Sequence, residues 1–252
     1  MFLLLDVGNS AVKWAVSDKG RIQHMTSRLY TKEALGEVLS GEVNIKEYSP
    51  NAVIVSNVAG DAAQQAVIHW CEETFHLRPV FPCVAKFACG LENAYNPPCK
   101  LGVDRWLALI AAKHAYSKPI CVVDCGTAVT IDAIDTKSQF IGGVIMPGLH
   151  IMRYSLQSRT NALFLTSESH TASEFSQSTD QCVLSGTTLA ITALIEKMVL
   201  KLEKKTGERV FCVLTGGDAK KILPALTISV AHVDNLVLQG LILWGRENGL
   251  VV

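Results

Sequence analysis

Two short segments of this chain share a pattern suited to holding a phosphate. Asp6-Val7-Gly8-Asn9-Ser10 follows an apolar run at residues 2–5, and Asp124-Cys125-Gly126-Thr127-Ala128 follows another at 120–123. A strand that ends in Asp-x-Gly puts a carboxylate at the carboxyl edge of a sheet, where ligands of open α/β sheets bind. The glycine lets the backbone turn tightly, so that successive N–H groups can face phosphate oxygens. Asn9, Ser10 and Lys13 add donors, Lys13 as a point charge; Thr127 and Thr130 do so in the second copy. One such segment has the composition of an ordinary turn. Two, one per half and each opening a three-strand stretch, point to a duplicated fold whose halves face a common cleft. Kinase-type chemistry is the first expectation. There is no G-x-x-x-x-G-K-[ST] P-loop and no G-x-G-x-x-G.

Gly102-Val103-Asp104-Arg105 is a third candidate, at the start of a predicted helix. Free N–H groups and the helix dipole favour an anion there. Asp104 has the chemistry of a general base toward a hydroxyl, and Arg105 that of a bidentate clamp on a carboxylate or phosphate. An N-terminal cap with its ion-pair partner would use the same residues. Thr215-Gly216-Gly217-Asp218 ends a strand, and its glycines leave room for a flat ligand or make a plain turn. Gly142-Gly143 and Pro147-Gly148 flank another strand end.

The elements that must position these residues follow from hydrophobic periodicity. Strands are predicted at 2–7, 11–17 (Val12, Trp14 and Val16 alternating) and 21–26, the last two joined by the turn Asp18-Lys19-Gly20. A helix follows at 31–39, a strand at 52–58 and a helix at 62–76. Residues 79–98 are rich in proline and read as a connector. A helix is predicted at 102–116. The pattern then restarts with strands at 120–125, 128–134 and 140–146. A long helix at 179–204 has Gly186 as a close-packing position. A strand at 210–214 and a last apolar helix at 235–248 complete the second half. The expected domains are residues 1–117 and 118–252.

Bulk properties exclude several classes. The chain is 49% hydrophobic and 18% charged over 252 residues, which describes a well-cored globular protein. Basic and acidic residues balance at 23 each, so nothing suggests nucleic acid as a main partner. No signal peptide and no membrane span are expected, and a cytoplasmic location is. The eight cysteines show neither C-x-x-C pairs nor zinc spacing and are expected to be free thiols, with Cys125 a small filler in its turn.

Taken in order, Asp6-Val7-Gly8-Asn9-Ser10, Asn96-Pro97 with Leu101-Gly102-Val103-Asp104-Arg105, the stretch from Asp124 to Asp132, the stretch from Gly142 to Leu149, and Thr215-Gly216-Gly217 resemble the type III pantothenate kinases. The resemblance runs over nearly the whole chain. It implies an α/β fold of the acetate and sugar kinase, Hsc70 and actin superfamily: two duplicated ribonuclease-H-like (actin-like) halves with the active site in the cleft between them. It further implies transfer of a phosphoryl group from ATP to pantothenate, giving 4′-phosphopantothenate, the first step toward coenzyme A.

By the same resemblance, Asp6, Val7, Gly8, Asn9, Ser10, Ala11, Val12, Lys13 and Thr127 bind ATP, with Asp6 near Mg²⁺. Asp104 is the proton acceptor. Tyr95, Gly102, Val103, Asp104, Arg105 and Thr179 bind pantothenate, and Asp124 is the ligand of a monovalent cation, K⁺ or NH₄⁺. A homodimer is implied, with room for its interface on the apolar final helices. The chain departs from the family at Ser10, where threonine is usual, at Ser178, where asparagine is common, and at Asn161 and Phe164. None of these removes a carboxylate or glycine that the chemistry needs. Another kinase of the superfamily, acting on a sugar, acetate or an N-acyl amine, is the alternative enzyme. A non-catalytic nucleotide-binding regulator is the alternative of a different class.

Overall fold

The structure, a computed structural model, describes residues 1–31, 34–42, 45, 47–116, 119–159, 173 and 175–250. In chain order the first elements are β1 (Phe2–Val7), β2 (Ala11–Asp18), β3 (Arg21–Leu29), α1 (Leu35–Gly41), β4 (Ala52–Asn57), α2 (Asp61–Phe75), β5 (Phe87–Ala88), β6 (Leu91–Asn93) and α3 (Val103–Ala115). Then come β7 (Ile120–Cys125), β8 (Ala128–Ile134), β9 (Gln139–Pro147), α4 (Leu149–Arg159), α5 (Thr179–Thr206), β10 (Phe211–Thr215), α6 (Ala219–Ile222), β11 (Val230–His232) and α7 (Leu236–Glu247). Two compact units divide the chain: Met1–Ala115 with Asn235–Val252, and Tyr116–Asp234.

The first unit is built on a sheet of order β3-β2-β1-β4, with β1 antiparallel to β2 and parallel to β4. Lys19 and Gly20 make the two-residue turn between β2 and β3, both at positive φ, as a tight hairpin requires. Side chains alternate across β1. Leu3, Leu5 and Val7 join Leu35 and Leu39 of α1 and Val67 and Trp70 of α2 in one buried cluster. Leu4 and Ile54, fully buried on the opposite face, lie on the side taken by α3 and α7. Each such leucine contributes about 1.5–3 kcal/mol relative to an exposed one.

The final helix departs from its expected place. Chain order put it with the second half, whereas its residues group with the first. Its apolar face (Leu238, Leu241 and Ile242 are buried) packs on α3 and the first sheet. The approach to α3 is close: a Cβ at Gly240 would lie 2.1 Å from the Leu107 carbonyl oxygen.

The second unit repeats the plan. Its strands run β9-β8-β7-β10-β11, again with the first strand between an antiparallel and a parallel neighbour. Strands β7, β8, β9 and β10 thus correspond to β1, β2, β3 and β4, the ribonuclease-H-like order in duplicate. Cys121, Val123 and Cys125 pack with Ile191, Ile195, Val199 and Leu202 of α5 and Ile222 of α6. The mean hydropathy of α5 reaches 1.5 over 18 residues, 44% of which are buried. Ser178 caps α5 by accepting from the Gln181 amide, and Gly207 at positive φ ends it. Gly186 is not the close-packing position expected, because a Cβ there would meet nothing within 4 Å. The helix predicted at 31–39 is observed at Leu35–Gly41. Lys32, Glu33, Asn161, Phe164 and the expected domain boundary at 117/118 lie outside the described residues.

Candidate functional site

The two Asp-x-Gly segments occupy equivalent places. Asp6 is paired with Lys13 across β2 and with Ser56 across β4. Asp124 is paired with Thr130 across β8 and with Thr215 across β10. By alternation, Asp6 lies on the sheet face of Leu4, the side of α3, and cross-strand register puts Lys13 on that face too. Asp124 lies on the face away from α5. The turns are not identical. Gly8 N–H donates to the Ala11 carbonyl at 3.0 Å, and Gly126 N–H to the Ala128 carbonyl at 3.0 Å, so the second turn is a residue shorter.

The first loop is exposed at Asn9 and Ser10, half-buried at Gly8, Ala11 and Lys13, and anchored by the buried Val7 and Val12. Tyr30 props it from below. Its amide donates to the Ser10 carbonyl at 3.2 Å and its phenol to the Gly8 carbonyl. Burial first, and the Asp6 charge second, push the Tyr30 hydroxyl above its ordinary pKa. Ser56, beside Asp6, is buried and its Oγ has no hydrogen-bond partner. Sequence reading missed Tyr30 and Ser56, since both act through non-local pairing.

The second loop is braced by two glycines. A Cβ at Gly216, which has φ +98°, would lie 2.4 Å from Asp124 Oδ1 and 2.4 Å from the Cys125 carbonyl oxygen. Gly148 N–H donates to the Thr127 carbonyl at 3.0 Å, and a Cβ there would lie 2.2 Å from the Gly126 oxygen. Gly216 is thus packed against the carboxylate rather than open to a flat ligand, while Gly217 has nothing within 4 Å. Gly143 similarly makes room for Asp132. Thr127 is exposed. The Cys125 thiol is buried and pushed up to about 12, by burial and then by Asp124, so it is inert filler.

Asp104 and Arg105 open α3. Asp104 Oδ1 accepts from the Arg105 amide at 2.7 Å, and a Cβ at Gly102 would lie 2.6 Å from that oxygen. Burial raises the Asp104 pKa, against the lowering effect of that hydrogen bond and of the Arg105 charge. A base so raised is better matched to neutral pH than a free carboxylate. Arg105 is buried, its Nη1 lies 3.4 Å from the Tyr95 hydroxyl, and its guanidinium carbon is 5.9 Å from that ring's centre. Tyr95, Gly102, Val103, Asp104 and Arg105 therefore form one local group. Thr179 stands apart from it in the chain, exposed on the first turn of α5.

Among the described residues no three His, Cys, Asp or Glu side chains converge as a metal cage. The donor chemistry suits hard cations held with help from a ligand. Asp6 with the unpartnered Ser56 hydroxyl fits Mg²⁺, which binds through few carboxylates plus phosphate oxygens. Asp124 and the carbonyl oxygens packed around Gly216 and Gly148 fit a monovalent cation. All eight cysteines are free, and Cys71, Cys121, Cys125 and Cys212 are buried.

The family model for type III pantothenate kinase matches residues 2–201. A type III pantothenate kinase of Nitrosococcus oceani is 36% identical over 249 residues, covering 96% of this chain and 92% of that protein. One from Alcanivorax borkumensis is 34% identical over 246 residues, covering 96% and 97%. Among solved structures, a Baf family protein from Campylobacter jejuni superposes with TM-score 0.62 at 22% identity over 98% of both chains. An activator of the 2-hydroxyisocaproyl-CoA dehydratase from Clostridium difficile with bound ADPNP gives 0.57 at 10% identity, covering 98% and 96%. These two likenesses bear on the fold alone. With a match over most of its length and relatives above one-third identity, the chain belongs to the type III pantothenate kinase family.

Proposed function

We propose that this protein transfers the γ-phosphoryl group of ATP to the primary alcohol of pantothenate. The observation that carries the reading is the group Tyr95, Gly102, Asp104 and Arg105 in a member of this family. Asp104, with its raised pKa, takes the alcohol proton as the oxygen attacks phosphorus. Arg105, held against Tyr95, meets the pantothenate carboxylate, with Gly102 and Val103 lining the same surface and Thr179 a further contact. The loop of residues 8–12 and the Lys13 ammonium hold ATP phosphates, and Thr127 is the further ATP contact that the family resemblance implies. Phosphoryl transfer needs mainly positioning and charge neutralisation, which suits this donor set.

Asp6 would hold Mg²⁺ and Asp124 would hold K⁺ or NH₄⁺; when bound, these ions offset phosphate charge where no P-loop lysine exists. We further infer a homodimer in the cytoplasm. Ile145 on β9 and Tyr154 on α4, each 61% exposed, leave apolar surface for a second copy. The decisive experiment measures ADP release by purified protein with Mg-ATP, with and without pantothenate, in K⁺ or Na⁺. Pantothenate-dependent release, faster in K⁺, is expected. Turnover without pantothenate dependence, or none in either salt, overturns the reading.

A further inference from the structure

We propose that Asn93 is a positioning residue for the Tyr95–Arg105 pair, an inference that rests on the kinase reading above. Asn93 ends β6 and is fully buried. A buried amide costs stability unless its donors and acceptor are used, so its bonds fix whatever they reach. Here they reach three backbone points. Oδ1 accepts from the Tyr95 amide at 2.9 Å, and Nδ2 lies 3.4 Å from the Ala85 carbonyl oxygen and 3.4 Å from that of Pro98. Its own N–H donates to the Lys86 carbonyl at 2.9 Å, and its carbonyl accepts from Lys86 Nζ at 2.7 Å.

One side chain therefore ties the segment entering the hairpin, the residue that carries the phenol, and the Pro98–Lys100 turn that leads into α3. Without it the Tyr95 amide and the Ala85 and Pro98 carbonyl oxygens lose the side chain they share. Tyr95 would then lose its fixed height against Arg105, and Arg105 its partner at 3.4 Å. The hairpin's far end is anchored separately. The Cys89 amide donates to both Glu247 carboxylate oxygens at 2.8 Å, and the Cys89 thiol to Oε2 at 3.3 Å. Loss of the Asn93 bonds should therefore be felt at residues 94–98 rather than throughout the hairpin.

The test uses Asn93→Asp, which keeps an acceptor for Tyr95 but turns the donor toward two carbonyl oxygens into another oxygen. The KM for pantothenate is expected to rise about tenfold or more while the KM for ATP stays within about twofold. Combined with Tyr95→Ala, the effects on pantothenate KM should be less than additive, since one residue acts through the other. Amide hydrogen exchange at Ala94, Tyr95 and Asn96 should quicken at least about tenfold while α2 stays protected. That readout needs no turnover, so an inactive wild type would sink the kinase reading without touching this one. Asn93→Ser, too short to reach Tyr95, serves if the aspartate variant does not fold, and in the wild type itself the Tyr95 amide must exchange slowly. Equal rises in both KM values, additive effects, unchanged exchange in the variant or a fast Tyr95 amide in the wild type would each overturn the proposal.

Discussion

The Asp104 carboxylate lies over Gly102, so closely that a Cβ at 102 would sit 2.6 Å from Oδ1. The colliding atom is the free end of a side chain, not backbone. Gly102→Ala should therefore leave the fold intact and displace the carboxylate. We expect kcat to fall about 100-fold, in line with misplacement of a catalytic group by about 1 Å, with Tm little changed. A kcat within twofold of wild type would mean that Gly102 does not set the position of Asp104.

Asp104 also carries a pH signature. Burial raises its pKa above the ordinary 3.8, so the folded protein holds this proton more tightly than the unfolded chain does. The stability it contributes is full below the unfolded pKa and is lost as pH rises through the folded value. At neutral pH the ionised carboxylate is therefore a net cost. Asp104→Asn should melt at a higher temperature than wild type at pH 7–8, the difference closing toward pH 3. The same variant should lose most of kcat while nucleotide still binds. Melting curves across pH check the first claim; a variant less stable than wild type at pH 8 and equal at pH 3 would reverse the sign and refute it.

Asp124 and Gly216 form another close carboxylate–glycine pair, in the second unit. Asp124→Ala should abolish the rate difference between K⁺ and Na⁺ without unfolding the protein. Gly216→Ala is predicted to be harsher, because φ is +98° and a Cβ would lie 2.5 Å from the Cys125 carbonyl carbon. Overpacking of this kind typically costs about 1–3 kcal/mol, and the strained φ adds to it. A K⁺ response that survives Asp124→Ala would move the cation site elsewhere.

What the sequence made legible was local. Asp6 and Asp124 stand out because an apolar run ending in Asp-x-Gly needs only neighbouring residues to be recognised, and the restart of the strand pattern made the duplication visible. Asp104 and Arg105 were legible as a helix start. Tyr30, Ser56 and Asn93 were not, since each matters through a partner that only folding brings near. An apolar helix can cover any apolar face, so nothing in residues 235–248 told which sheet it would join. Glycine spacing misled at 186, where the Cβ direction is open, and was silent at 240, where it is closed.

That contrast gives a paired test of the C-terminal helix. A Cβ at Gly240 would lie 2.1 Å from the oxygen and 2.6 Å from the carbonyl carbon of Leu107, so the two helices must separate to admit it. Gly240→Ala should cost about 1–3 kcal/mol or more despite alanine's better helix propensity. Leu107 lies one turn beyond Asp104 on α3, so kcat should fall with stability. Gly186→Ala, in open space within α5, should instead raise stability by up to about 1 kcal/mol. Thermal melts of both variants decide it: equal stabilisation by the two alanines would mean that α7 does not pack on α3 at Gly240.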